Sequence, residues 1–143
     1  MGARRAGHRA LNLYLDPSAL VKRYIAEDDS DLVRDTMQHA EGWFICRAGF
    51  VETVRAVGLA AGTRAIKAVS DEWPAFGIIE VDQPLVEHAA KLALARDLRS
   101  LDSLHLAAAL VLGGKDLTFA TWDRRLHTAA GAEGLELLPA AIA

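Results

Sequence analysis

Cysteine is nearly absent: Cys46 stands alone in 143 residues. A lone cysteine excludes an internal disulfide and any multi-cysteine metal cluster, and it fits a reducing setting. Long apolar runs are missing as well, since nothing approaches the 18 or more residues of a membrane span. Arg4, Arg5, His8 and Arg9 give the chain a basic start like that of a secretory leader. The apolar stretch behind them, 11–15, is too short for one and stops at Asp16. The expectation is a cytoplasmic protein with no membrane association. Nucleotide-cradling motifs are lacking too. Gly113-Gly114-Lys115-Asp116 has neither the spacing nor the Ser/Thr of a P-loop, and no G-x-G-x-x-G occurs. There is no internal repeat, low-complexity stretch or long linker. Positive charge is not in excess: 16 basic against 19 acidic residues leave a net charge of −3. That total argues against a generic nucleic-acid binder. Most of the bases are arginine, however, the better fork for phosphate, and clustered acids can leave other surfaces basic.

What is present reads as one globular domain. Apolar residues make up 52% and charged residues 24%, and a chain of about 150 residues buries enough surface for a core without staples. Short apolar runs alternate with helical periods. Residues 12–15 read as a strand, followed by Asp16-Pro17, an N-cap with proline at the first helical position, and a helix to about 25. An acidic turn at 27–31 caps a helix to about 39. Strands follow at 43–46, 77–81, 118–121 and 136–138. Helices follow at 49–62, 64–73 (halted before Pro74), 83–96, 101–112 and 123–130. Strands alternating with helices imply an α/β fold with a mostly parallel sheet and helices on both faces. Sites in such sheets form beyond the carboxyl ends of the strands.

Acids gather where that rule directs attention. Asp16 in LYLD and Asp123 in FATWD each follow a strand, which places both at one edge of the sheet. Asp102 opens the helix DSLHLAAAL. Glu52 lies one turn into an apolar helix among Phe50, Val51 and Val54, where a carboxylate needs a partner. Taken singly, each has an ordinary explanation. Asp16 and Asp123 serve as N-caps, as Asp82 does; Asp102 complements a helix dipole; Glu52 pairs with Arg55 or Arg47. Taken together, converging carboxylates would repel one another and hold protons, and a divalent cation removes that conflict.

The motifs carrying these acids resemble the PIN-domain family, and within it the VapC-type toxins of bacterial toxin–antitoxin pairs. Leu13-Tyr14-Leu15-Asp16-Pro17-Ser18-Ala19-Leu20-Val21-Lys22 is similar to the first motif, and Phe50-Val51-Glu52 to the second. Residues 98–107, centred on Asp102, match the third. Phe119-Ala120-Thr121-Trp122-Asp123-Arg124-Arg125-Leu126 matches the fourth, with Ala129-Ala130 and Gly134 behind it. The resemblance spans about 13–138. It implies a three-layer α/β/α sandwich around a five-stranded sheet, with residues 11–143 as the nuclease domain. The stretch 1–10 departs from the family and is read as either a flexible basic arm or a mis-assigned start. It implies a Mg²⁺- or Mn²⁺-dependent endoribonuclease toxin, inhibited by a cognate VapB-like antitoxin and forming a homodimer, with tRNA or rRNA as substrate. Asp16, Glu52, Asp102 and Asp123 would carry the metal. Ser18 and Thr121 would steady them through their hydroxyls, and Ser103 would do so for Asp102 where geometry allows. Apolar surface near 20–25 and 54–59 is offered for an inhibitory helix.

The expected chemistry is attack on an RNA phosphodiester by a metal-activated water, with Asp16 or Asp102 orienting it. Arg23, Arg47, Arg99 and Arg124 are candidates for guiding phosphates, each against the plain reading of a solvated arginine. His105, three residues after Asp102, is read as a packed or supporting histidine rather than a base. Cys46 is read as core. Gly58 to Gly62 is read as close helix packing, and 69–76 with Trp73 as core or interface. A phosphoacceptor receiver needs adjacent acids after the first strand, and a phosphatase needs Asp-x-Asp; Asp16-Pro17-Ser18 supplies neither. The alternative is a PIN fold without catalysis that binds RNA or protein.

Overall fold

The computed structural model describes residues 11–113 and 116–142. The basic stretch 1–10 lies outside the described residues. Five parallel strands form one sheet in the order β3-β2-β1-β4-β5. The strands are β1 (Asn12–Leu15), β2 (Gly42–Cys46), β3 (Gly77–Ile79), β4 (Leu117–Ala120) and β5 (Glu136–Leu138). Between them run α1 (Pro17–Tyr24), α2 (Ser30–His39), α3 (Gly49–Ala61), α4 (Thr63–Glu72), α5 (Gln83–Arg96), α6 (Ser100–Leu112) and α7 (Arg124–Ala132). The sheet is parallel throughout, a three-layer α/β/α sandwich. No described helix is long and apolar enough to cross a membrane.

Alternation along β1 divides the core. Leu13 and Leu15 point to one face and meet Leu20, Val33, Met37, Val57 and Val69 from α1–α4. Tyr14 points to the other and meets Phe119 with Leu92, Leu106 and Leu126 from α5–α7. Covered on both sides, β1 reads as a continuous apolar run rather than an alternating one.

Some boundaries differ from the sequence reading. The α-helix before Pro74 halts as expected, at Glu72, but Trp73–Ala75 adds a 3-10 turn, where proline lacks only an N–H that has no helical partner. The third strand ends at Ile79, two residues early, because only Gly77 to Ile79 pair with β2. The acids at 27–31 do not cap α2. Asp29 holds the N-cap position without a side-chain bond, and the Ser30 hydroxyl braces the turn before the helix, accepting the Glu27 N–H (3.0 Å) and donating to the Ile25 carbonyl (2.8 Å). Gly58 is a packing glycine: a Cβ there would come within 2.8 Å of Ile66 Cδ1 on α4.

Arg23 is not near the strand tops. Seven residues of helix carry it about 10 Å from Asp16, to the amino end of the sheet, where its guanidinium lies 4.8 Å over Trp43 at the start of β2. There Arg23 Nε and Nη2 donate to the two Glu72 oxygens (2.7 and 2.6 Å), and the Tyr24 hydroxyl donates to the same carboxylate (2.6 Å). The hydrogen bonds from Arg23 hold Glu72 below its ordinary value. A depressed carboxylate contributes stability above its unfolded pKa and loses it as pH falls through the folded one. Glu72→Gln is therefore expected to lower the melting temperature at neutral pH and to flatten its decline on acidification, in thermal melts across a pH series.

Candidate active site

From β1 the chain moves outward through β2 to β3, then crosses to β4 on the opposite flank. The order reverses between β1 and β4, so the crevice opens beyond their carboxyl ends. Asp16 leaves β1 there, and Asp123 follows β4 by three residues.

Asp16 is 3% exposed and clamped. Its Oδ1 accepts the Ala19 N–H (2.9 Å) and the Ser18 hydroxyl (2.6 Å), and its Oδ2 accepts the Thr121 hydroxyl (2.6 Å). Ser18 Oγ in turn accepts the Trp122 N–H (2.9 Å), and Thr121 Oγ1 accepts the Asp123 N–H (3.1 Å). Two hydroxyls thus tie the end of β1 to the turn after β4. Burial pushes the Asp16 carboxyl above its ordinary value, and the hydroxyl hydrogen bonds only partly offset it. Trp122 pins the same turn from outside. Its Nε1–H donates to Asp29 (2.9 Å), and the buried Lys22 ammonium lies 5.1 Å from its ring.

Asp16 and Asp123 are N-caps as well as members of this cluster. Asp123 accepts the Leu126 N–H at 2.9 Å, as Asp82 accepts that of Leu85 at 3.0 Å. Asp102, in the first turn of α6, caps nothing; Arg99 holds the N-cap position. Burial raises the Asp102 carboxyl first, then the negative charge of Asp123, with Glu52 adding a little; Arg99 and His105 pull it back. The exposed Arg99 guanidinium spans the pair, 3.8 Å from Asp102 and 3.9 Å from Asp123. Ser103 does not support Asp102: its hydroxyl donates to the Ser100 carbonyl of its own helix (2.8 Å).

Glu52 takes neither Arg55 nor Arg47. Its Oε1 lies 2.8 Å from His105 Nε2, and His105 Nδ1 lies 2.7 Å from the Tyr14 hydroxyl. Arg47 instead forks onto Glu80 (3.0 and 2.5 Å) at the exposed end of β2. Arg124 begins α7 beside Asp123. The structure thus gathers Asp102 with Asp123, Glu52 and Arg99, sets Asp16 beside the Asp123 turn, and leaves Arg23 at the opposite end. The apolar surface expected at 20–25 is largely covered, with Leu20 fully buried. On α3 the exposed apolar side chains are Val51 (71%) and Leu59 (75%).

The PIN-domain family model matches residues 13–132. The chain belongs to the PIN-domain family. It is of the VapC type: it is 34% identical over 137 residues to ribonuclease VapC49 of Mycobacterium tuberculosis, covering 90% of this chain and 95% of that one. Among solved structures it superposes on the sarcin–ricin loop cleaving toxin VapC20 of Mycobacterium tuberculosis with a TM-score of 0.72. Identity there is 15%, with 86% of this chain and 95% of that chain covered. A toxin–antitoxin complex from Klebsiella pneumoniae gives 0.68 at 14% identity, covering 92% and 99%. At such identities the likeness is one of fold.

The acids gathered at this edge, were they to hold an ion, would offer only carboxylate oxygens, the chemistry preferred by Mg²⁺ and Mn²⁺. The upward push of Asp102 by Asp123 and Glu52 is the conflict a cation would relieve. Among the described residues no group of three His, Cys, Asp or Glu side chains stands ready to hold a metal ion. A pair of carboxylates such as Asp102 and Asp123 is the chemistry with which an ion that keeps several waters, such as Mg²⁺, is held.

Close packing sets where Glu52 stands. A Cβ on Gly49, at the start of α3, would come within 2.5 Å of Ile45 Cδ1 and 3.2 Å of His105 Cε1. Ile45 is fully buried and has little room to move. Gly49→Ala is expected to destabilise the fold by about 1–3 kcal/mol through overpacking, seen as a lowered melting temperature that Ile45→Val partly restores.

Proposed function

We propose that this PIN-domain protein is a Mg²⁺- or Mn²⁺-dependent endoribonuclease, the cytoplasmic toxin of a toxin–antitoxin pair, silenced by a VapB-like antitoxin. The observation that carries this is the Asp102–Asp123 pair, in which burial and the Asp123 charge raise the Asp102 carboxyl, beside a clamped, buried Asp16 at the carboxyl edge of the sheet. The relative's name, ribonuclease VapC49, supports the activity. The sarcin–ricin loop cleaved by VapC20 supports structured RNA, rRNA or tRNA, as the substrate class. The Klebsiella pneumoniae complex supports an antitoxin partner. A homodimer, and a basic arm at 1–10 preceding the nuclease domain, complete the proposal.

Asp16, Glu52, Asp102 and Asp123 are the residues that would hold the ion. A bound Mg²⁺ or Mn²⁺ supplies a water of lowered pKa and positive charge against the phosphate. Ser18 and Thr121 fix the Asp16 carboxylate, so its orientation does not depend on substrate. Asp102, whose carboxyl holds a proton more tightly than usual, is suited to take the proton released by the attacking water at an Oδ. Arg99, exposed and not within hydrogen-bonding distance of either aspartate, is free to turn toward an RNA phosphate; Arg124, next to Asp123 in the chain, is the second candidate for such a contact. Arg47 would first have to release Glu80.

The test is cleavage of total RNA by the purified protein with Mg²⁺, Mn²⁺ or EDTA. Discrete fragments that require the metal are expected, and their identity names the target. The cap roles of Asp16 and Asp123 favour a second reading, a binding module without catalysis, because they explain two of the acids without chemistry. Millimolar Mg²⁺ or Mn²⁺ raises the melting temperature of the nuclease and leaves that of a binding module unchanged.

A further inference from the structure

Below Glu52 lies a buried polar chain that the proposed reaction does not use. Tyr14 and His105 are both 0% exposed. They sit on different layers, Tyr14 in β1 two residues before Asp16 and His105 in α6 one turn after Asp102. Their rings meet edge to face at 5.9 Å, and Tyr14 stacks on Phe119 at 5.3 Å.

Hydrogen-bond accounting fixes the direction of the chain. The Cys46 backbone N–H donates to the Tyr14 oxygen at 2.9 Å. The single phenolic hydrogen then has one acceptor in reach, His105 Nδ1 at 2.7 Å. If Nδ1 carried a hydrogen, Tyr14 would face two donors and its own buried hydrogen would be orphaned, a costly arrangement. Nδ1 is therefore the acceptor, Nε2 carries the hydrogen, and that N–H points at Glu52 Oε1, 2.8 Å away. The opposite tautomer would set two lone pairs against each other at that distance.

We propose that Tyr14 and His105 are positioning residues for Glu52: Tyr14 locks His105 as the Nε2–H tautomer, and that N–H holds Oε1 so that Oε2 is the oxygen offered to the carboxylate cluster. The proposal rests on the nuclease reading of Glu52. Carboxylates that hold an ion are themselves oriented by hydrogen bonds from outer partners, and the His105 N–H is such a partner for Glu52. Glu52 is otherwise a long, half-buried side chain, 23% exposed, with several rotamers open to it. Gly49, which admits His105 Cε1 close to α3, keeps the donor and its carboxylate in register.

Nitrogen-detected NMR of the full-length, metal-free protein tests the lock directly. His105 is expected to be protonated at Nε2 and unprotonated at Nδ1, and Tyr14→Phe to give mixed tautomers. A wild-type protein protonated at Nδ1 overturns the proposal before any variant is made. Tyr14→Phe and His105→Asn are then expected to lower kcat for RNA about 10- to 100-fold and to weaken Mn²⁺ binding about 10-fold, with KM little changed. His105→Gln, which returns an N–H near the Nε2 position, is expected to recover part of both, and adding Tyr14→Phe to it to cost nothing more. If the wild type cleaves RNA while folded Tyr14→Phe and His105→Asn match it in kcat and Mn²⁺ affinity, the positioning role is overturned and the nuclease reading stands. If the wild type neither cleaves RNA nor binds Mn²⁺, the nuclease reading fails and takes the positioning role with it.

Discussion

Asp16→Asn is expected to reduce RNA cleavage by at least about 10²-fold while leaving the melting temperature equal to or above that of the wild type. Loss of groups that merely orient a ligand costs about 10–100-fold, and Asp16 is proposed as a ligand itself. Stability moves the other way because the carboxyl is buried and pushed above its ordinary value. A carboxylate with a raised folded pKa loses stability for the fold as pH climbs from the unfolded value toward the folded one. Asparagine removes the charge. Its carbonyl can still accept from Ala19 and Ser18, and the Thr121 hydroxyl need only turn from donor to acceptor. The advantage of the variant is therefore expected at neutral pH and to vanish below the ordinary carboxylate range. Cleavage assays beside thermal melts at pH 7 and pH 4 read both effects. Cleavage kept within a few-fold would remove Asp16 from the site.

Asp102→Asn is expected to weaken Mn²⁺ binding by at least about tenfold and to remove most of its dependence on pH. Burial and the neighbouring Asp123 charge raise the Asp102 carboxyl, so the proton competes with the ion at a higher pH than for an ordinary aspartate. Wild-type affinity should accordingly fall as pH is lowered into the weakly acid range, with protons released on binding. Calorimetric titration with Mn²⁺ in buffers of different ionisation enthalpy measures affinity and proton release together. Equal affinities for the two proteins at pH 7 would place the ion elsewhere.

Much of the fold is written locally. Asp-Pro at 16–17, Gly113 after α6 and the apolar runs of β1 and β4 mark their elements because caps, prolines and buried parallel strands act through neighbours in the chain. What failed to show depends on distance. In sequence Arg23 stands near a strand top and a helix start, yet a helix leaving a strand top carries its last turn back to the amino end of the sheet. Ser103 follows Asp102 directly, but neighbours on a helix face apart, and its hydroxyl serves its own backbone. The partner of Glu52 was sought among arginines nearby in sequence; it is a histidine 53 positions away. One signal was available. His105 is the only polar residue within Leu104-His105-Leu106-Ala107-Ala108-Ala109, and a histidine buried in such a run must find hydrogen-bond partners.

The double employment of Asp16 and Asp123 bears on how such a chain drifts over generations. Each starts a helix by accepting the N–H three residues on, so a lineage that abandoned RNA cleavage would still be selected to keep both, or to exchange them for asparagine or serine. Asp102 has no such second employer, whereas Glu52 still answers the N–H of the buried His105. In a descendant freed from catalysis, Asp102 would be the first to erode. Comparing how the four positions vary would thus separate working toxins from inherited shells, where a search for all four acids at equal weight would not.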